Sequence, residues 1–218
     1  MSKNNDSSTK KRILQAARLV FASRGLASAT VREICTQAGA NVAAVSYYYG
    51  SKEKLYISVL EDYLANVISR YPFDEGVTDK STPEECLRSY VRGFLRQTLG
   101  DGDPVNEKLG SLLTQEYLEP SQYFSALFEK YCRPTHRQLI AILQRMIPGV
   151  GVMDAERCAS SIIGQCVLFD FANPALLIMS PELALQESNI GNITDFIMEF
   201  SLGGIDRLRN SLSTQAVA

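Results

Sequence analysis

Groups able to grip a polyanion are crowded into residues 39–55, GANVAAVSYYYGSKEKL. Ala43 and Ala44 are small enough to let a helix backbone approach a partner surface, and their methyls can touch thymine methyls. The hydroxyls of Ser46, Tyr47 and Tyr48 can reach phosphate oxygens or base edges, and Lys52 adds a cation. Upstream, Thr30 and Arg32 stand at the start of a helical segment, where free backbone amides favour anions. Core packing is the other use of a tyrosine run, since aromatic rings bury large areas. Nothing comparable is assembled for catalysis. The chain has one histidine, His136, and no paired-carboxylate motif, Gly-rich phosphate loop or nucleophile elbow, so an enzyme is not expected. Cys35, Cys86, Cys132, Cys158 and Cys166 are scattered without a C-x-x-C pair, which points to buried reduced thiols; neither a metal nor a cofactor is expected.

The chain as a whole has the make-up of a globular protein, with 218 residues, 45% hydrophobic and 21% charged. Its first residues, MSKNNDSSTKKR, are polar and lack the apolar core of a signal peptide. No run approaches about 20 consecutive apolar residues, so a cytoplasmic setting without a membrane partner is expected. Charge is unevenly distributed. Up to Ser58 there are nine Lys/Arg against three Asp/Glu, a net +6, while the remainder has thirteen against twenty-one, a net −8, within a total of −2. A basic head on an acidic body fits one end meeting a polyanion. The same head could instead serve a protein partner in a helical adaptor, the competing non-enzymatic reading.

The elements that must position these groups are helices, because apolar residues recur at three and four with no sustained alternation. A first helix runs from Thr9 to about Arg24, with Ile13, Ala16, Ala17, Val20 and Phe21 inward and Lys10, Lys11, Arg12 and Arg18 facing solvent or a partner; Gly25 ends it. Thr30 with Glu33 forms a capping box for a second helix that stops at Gly39. Asn41 caps a third and Ser51 a fourth. In the third, Val42, Val45 and Tyr49 are expected to pack inward on Ile34, Ala38 and Val20. Later starts fall at Thr82–Pro83, Asp103–Pro104, Ser180–Pro181 and Asn192, with a surface loop at 71–81 and a break at Pro148. Pro134 is expected to kink a helix spanning about Ser121 to Arg145, and the terminal SLSTQAVA to fray. Two short helices joined by a Gly-containing turn, braced by a preceding helix, form a helix-turn-helix pattern.

The stretch TKKRILQAARLVFASRGLASATVREICTQAGANVAAVSYYYGSKEKLY resembles the DNA-binding domain of the TetR family of transcriptional regulators, and NVAAVSYYYGSKEKLY with EYLEPS is similar to its CecR-like branch. Ser46 departs from the family, which often has a tyrosine at that position. The resemblance implies an all-α chain: a three-helix helix-turn-helix DNA-binding domain at 9–56, then a larger helical effector-binding and dimerisation domain at 57–212. It implies a homodimer on a palindromic double-stranded DNA operator, repressing a neighbouring gene until a small-molecule effector releases it by shifting the fourth helix. Thr30, Arg32, Asn41, Ala43, Ala44, Ser46, Tyr47, Tyr48 and Lys52 are the expected DNA contacts. Arg92, Arg96, Glu116, Tyr117, Tyr123, His136 and Gln165 are the candidate effector contacts. Ile163, Gly164, Val167 and Phe171 on one late helix, with Phe196 and Phe200 on the last, are the candidate dimer face.

Overall fold

The computed structural model describes residues 2–215, with side chains from Ser7 to Thr214 apart from Ser213. Among the described residues there are nine helices and no strand: α1 (Ser2–Ser28), α2 (Val31–Ala38), α3 (Val42–Tyr49), α4 (Lys52–Arg70), α5 (Pro83–Leu99), α6 (Pro104–Leu118), α7 (Phe124–Met146), α8 (Val152–Met179) and α9 (Ile190–Gln215). The chain divides into two compact units, residues 1–66 with 100–128 and residues 67–99 with 129–218.

In the first unit, Ile13, Ala17, Val20 and Phe21 of α1 are buried with Ile34 and Cys35 of α2, Val45 of α3, Leu55, Val59 and Leu60 of α4, and Leu109 of α6. Phe21 meets Tyr56 edge to face at 5.3 Å. Helix α1 begins at Ser2, seven residues before the apolar periodicity does, since no glycine or proline stands in its way. Gly25 interrupts it with φ 68° and ψ 178°, a backbone conformation open essentially to glycine alone. Arg18 is no solvent-facing cation: its guanidinium donates to Asp62 of α4 and to Asn106 of α6, both at 2.7 Å, and so joins three helices.

The second unit has its own core, in which Leu87, Tyr90, Val91 and Leu95 of α5 pack with Leu139 and Leu143 of α7, Ala159, Ile162 and Cys166 of α8, and Ile197 and Met198 of α9. Arg88 pairs with Asp195, joining α5 to α9. The 71–81 segment is irregular and Pro148 lies in a turn, as the sequence implies. Four readings change. Helix α7 holds Pro134 within it, as the sequence implies, but starts at Phe124, three residues later than expected. Pro181 begins a turn, not a helix, because Ser180 still donates to the Leu176 carbonyl as the cap of α8. The last helix starts at Ile190, ahead of Asn192: Asn189 accepts from the Gln186 amide and donates to the Glu182 and Ala184 carbonyls, organising the preceding turn, while its own carbonyl receives the Ile193 amide. The expected fraying at 211–218 is not seen to Gln215, which is helical, and 216–218 lie outside the described residues.

Helix α8 is the one helix among the described residues long and apolar enough to cross a membrane, with a mean hydropathy of 1.7 over eighteen residues. A single charge, Asp170, interrupts its sequence between Cys158 and Met179. Its buried residues, Ala155, Ala159, Ile162 and Cys166, form one stripe at helical spacing, while Leu168, Phe171, Leu177, Ile178 and Met179 are exposed.

Candidate nucleic-acid interface

Local signals build the motif. The Thr30 side chain accepts the Glu33 amide at 3.2 Å and so caps α2; the Glu33 carboxylate pairs with Arg24 at 2.8 Å. Gly39 ends α2 in the left-handed conformation, with φ 59°, and leads into Asn41, whose Oδ1 accepts the Ala43 amide at 2.9 Å to cap α3. Ser51 Oγ accepts the Lys54 amide at 3.2 Å at the start of α4. The outer edge of α2, with Thr30, Arg32, Thr36 and Gln37, lines a shallow depression beside Glu33.

On α3 the outward stripe is Val42, Ala43, Ser46 and Tyr47, contiguous at 100° per residue, whereas Val45 is buried and Ala44, Tyr48 and Tyr49 are half-buried. Tyr47 is 76% exposed, and its ring meets that of Tyr48 at 4.8 Å. Val42, expected inside, is 50% exposed. It is the first residue of the helix, and its side chain tilts towards the N-terminus, where no preceding turn exists to cover it. Tyr49 is committed within the unit: its hydroxyl donates to the Lys10 carbonyl at 2.8 Å and the Lys10 ammonium sits over its ring at 5.6 Å. Burial, and secondarily the Asp62 carboxylate, push its phenol up to about 12.

Lys52 lies at the start of α4, but two of its N–H groups are used: Nζ donates to the Leu26 carbonyl at 2.9 Å and the Ala29 carbonyl at 3.0 Å, tying α4 to the end of α1. Of the other expected DNA contacts, Thr30, Arg32, Asn41, Ala43, Ser46 and Tyr47 are exposed on α2, α3 and their caps. The link from Arg18 to Asp62 and Asn106 left no local sequence signal, because its partners lie 44 and 88 residues away.

The candidate effector residues fall in both units. In the first, Glu116 is buried, accepts the Ser121 amide at 3.1 Å, and receives the Tyr56 hydroxyl, which burial and this carboxylate hold above its ordinary range. Tyr117 is exposed with its ring 5.1 Å from Phe124, and Tyr123 is half-buried. In the second, Arg92 and Arg96 share the Glu75 carboxylate at 3.3 and 2.8 Å. His136 pairs with Glu156 at 2.7 Å, and Gln165 donates to the Ser201 hydroxyl at 3.2 Å. On the candidate dimer face, Phe196 and Phe200 are 69% and 68% exposed, Gly164 and Phe171 are also exposed, and Ile163 and Val167 are half-buried.

A braced pair of short helices, α2 with an exposed Arg32 and α3 with an uncharged outward stripe, defines a helix-turn-helix DNA-binding protein. Residues 13–59 match the model of the bacterial regulatory proteins of the tetR family, and residues 83–205, over half of the chain, match the C-terminal domain of the HTH-type transcriptional dual regulator CecR. The chain belongs to the TetR family of transcriptional regulators, among those with the CecR C-terminal domain. It is 26% identical over 219 residues to the HTH-type transcriptional dual regulator CecR of Shigella flexneri, covering 95% of this chain and 94% of that one. It is 38% identical over 87 residues, 38% of each chain, to the HTH-type transcriptional repressor NicS of Pseudomonas putida. The crystal structure of a transcriptional regulator from Rhodococcus sp. matches with TM-score 0.63 at 20% identity, over 89% of this chain and 96% of that one. The protein is a DNA-binding transcriptional regulator.

Proposed function

We propose that the protein is a homodimeric repressor that sits on a palindromic operator until a small molecule releases it. The observation that carries the reading is the outward stripe of α3 beside the exposed start of α2, a surface that has hydroxyls and a cation but no core role. Residues 9–56 act as the DNA-binding domain and 57–212 as the effector and dimerisation domain. Dimer formation through α8 and α9 gives their exposed apolar side chains a partner and places two reading helices about one helical turn apart on DNA. The apolar length of α8 serves that contact in a cytoplasmic protein, not a bilayer. Polar effector contacts come from Arg92, Arg96, His136 and Gln165, which share one compact unit. Release requires the effector to bind the conformation with low operator affinity more tightly than the operator-bound one, transmitted through α4.

The test is fluorescence anisotropy of the purified chain on DNA from upstream of its own gene and on scrambled DNA across a salt series. Tight, salt-sensitive binding to the upstream DNA is expected, with Tyr47→Ala and Arg32→Ala each weakening it while leaving the melting temperature unchanged. Equal, weak binding to both DNAs, insensitive to these substitutions, would favour the adaptor reading.

A further inference from the structure

The outward stripe of α3 is unusual in what it lacks. None of Val42, Ala43, Ser46 and Tyr47 carries a side-chain nitrogen donor or a carboxylate, the groups that make bidentate pairs with guanine or adenine or accept from cytosine. Asn41 stands next to the stripe, but its Oδ1 accepts the Ala43 amide at 2.9 Å, which commits the side chain to capping α3 and away from the paired oxygen-and-amide contact by which asparagine reads adenine. Hydroxyls serve as donor or acceptor and discriminate weakly. One feature of the major groove is left for an aliphatic surface to recognise, the C5 methyl of thymine. Val42, half exposed in the first turn of α3, and Ala43 beside it are such a surface, and the first turn is where a recognition helix meets base edges.

Resting on the operator-reading function above, we propose that this regulator selects its half-site through thymine methyls met by Val42 and Ala43. Tyr47 and Arg32 hold phosphates. Half-sites then carry thymine at one or two positions facing the start of α3, and no guanine contact from α3 is needed for selection.

The test begins by selecting duplexes from a random-sequence library with the full chain. The enriched duplex is remade with deoxyuridine replacing each thymidine in turn, which removes one methyl and leaves the hydrogen-bonding edge intact, and with 7-deazaguanosine replacing each guanosine, which removes the N7 acceptor. Deoxyuridine at one or two positions per half-site is expected to weaken binding about 3- to 5-fold each, the worth of one buried methyl group. Val42→Ala is expected to weaken binding to the thymidine duplex by a similar factor and to abolish the difference between thymidine and deoxyuridine at one position. Its melting temperature should stay unchanged, because the side chain is half exposed. Deoxyuridine neutral at every position, with 7-deazaguanosine abolishing binding, would overturn the proposal in favour of guanine readout. A Val42→Ala variant as sensitive to deoxyuridine as the native chain would overturn the assignment to Val42. A library that yields no enriched sequence would overturn the operator-reading function itself, an outcome distinct from both.

Discussion

Lys52 shows how a residue type can be legible while its partner is not. A lysine at a helix start beside a basic head reads as a phosphate clamp, yet its ammonium is bonded to the carbonyls of Leu26 and Ala29. These carbonyls follow the break at Gly25, where the chain leaves the helical ladder and needs donors. Lys52→Ala is expected to cost about 1–3 kcal/mol, because a half-buried pair of charge-assisted bonds is lost and two carbonyls are left to water. Differential scanning calorimetry checks it: at about 2–4 °C per kcal/mol for a chain of this size, the melting temperature falls measurably. An unchanged melting temperature with weakened DNA binding would restore the phosphate role. No sequence signal could locate these acceptors, since carbonyls exist at every residue and these lie 26 and 23 positions upstream.

Helix starts and stops were largely readable, because caps act within three or four residues. Thr82 and Glu85 make the full reciprocal box, with Thr82 N donating to Glu85 at 2.7 Å and Glu85 N donating to Thr82 Oγ1 at 3.2 Å. Asp103 caps α6 through the Val105 amide at 2.7 Å. What caps cannot convey is how closely a helix packs on what precedes it. On α5, a Cβ added to Gly93 would lie 2.8 Å from the Pro72 carbonyl oxygen and 3.2 Å from Phe73 Cα, both backbone atoms that cannot swing aside. Gly93→Ala therefore forces α5 away from the 72–73 segment and from Phe73, which stacks on Tyr90 at 4.6 Å. A loss of about 1–3 kcal/mol is expected, read from the urea midpoint at an unchanged slope. A midpoint matching the native chain would show that the segment yields without cost.

The exposed phenylalanines of α9 bear on assembly. Phe196 and Phe200 stand one turn apart with most of their surface open, and Phe171 of α8 is also exposed. Large apolar groups left in this way are a cost to a monomer and the core of an interface to a dimer. Phe196→Glu with Phe200→Glu is expected to give a monomer by light scattering after size-exclusion chromatography, with helicity retained. Operator affinity should fall at least tenfold, because each reading helix then binds alone. A doubly substituted protein that remains dimeric would place the interface elsewhere. The basic head and acidic body were visible as charge counts, and the apolar stripes as periodicity. That α6 belongs with α1–α3 in one compact unit was not, because its pairing with α1 joins segments some 90 residues apart.

Composition and short-range pattern were enough to read an all-helical chain and its capped helix-turn-helix, while the family entered only as a resemblance carried by the residues of that motif. These depend on residues within a turn of each other, whose hydrogen bonds and periodicity are written locally. The fold had to settle which face of α3 looks outward, that Lys52 and Arg18 are tied into the framework, and that the candidate effector side chains lie in two separate units. Those outcomes depend on packing between distant segments, where the burial of one residue is set by another that the local pattern does not contain.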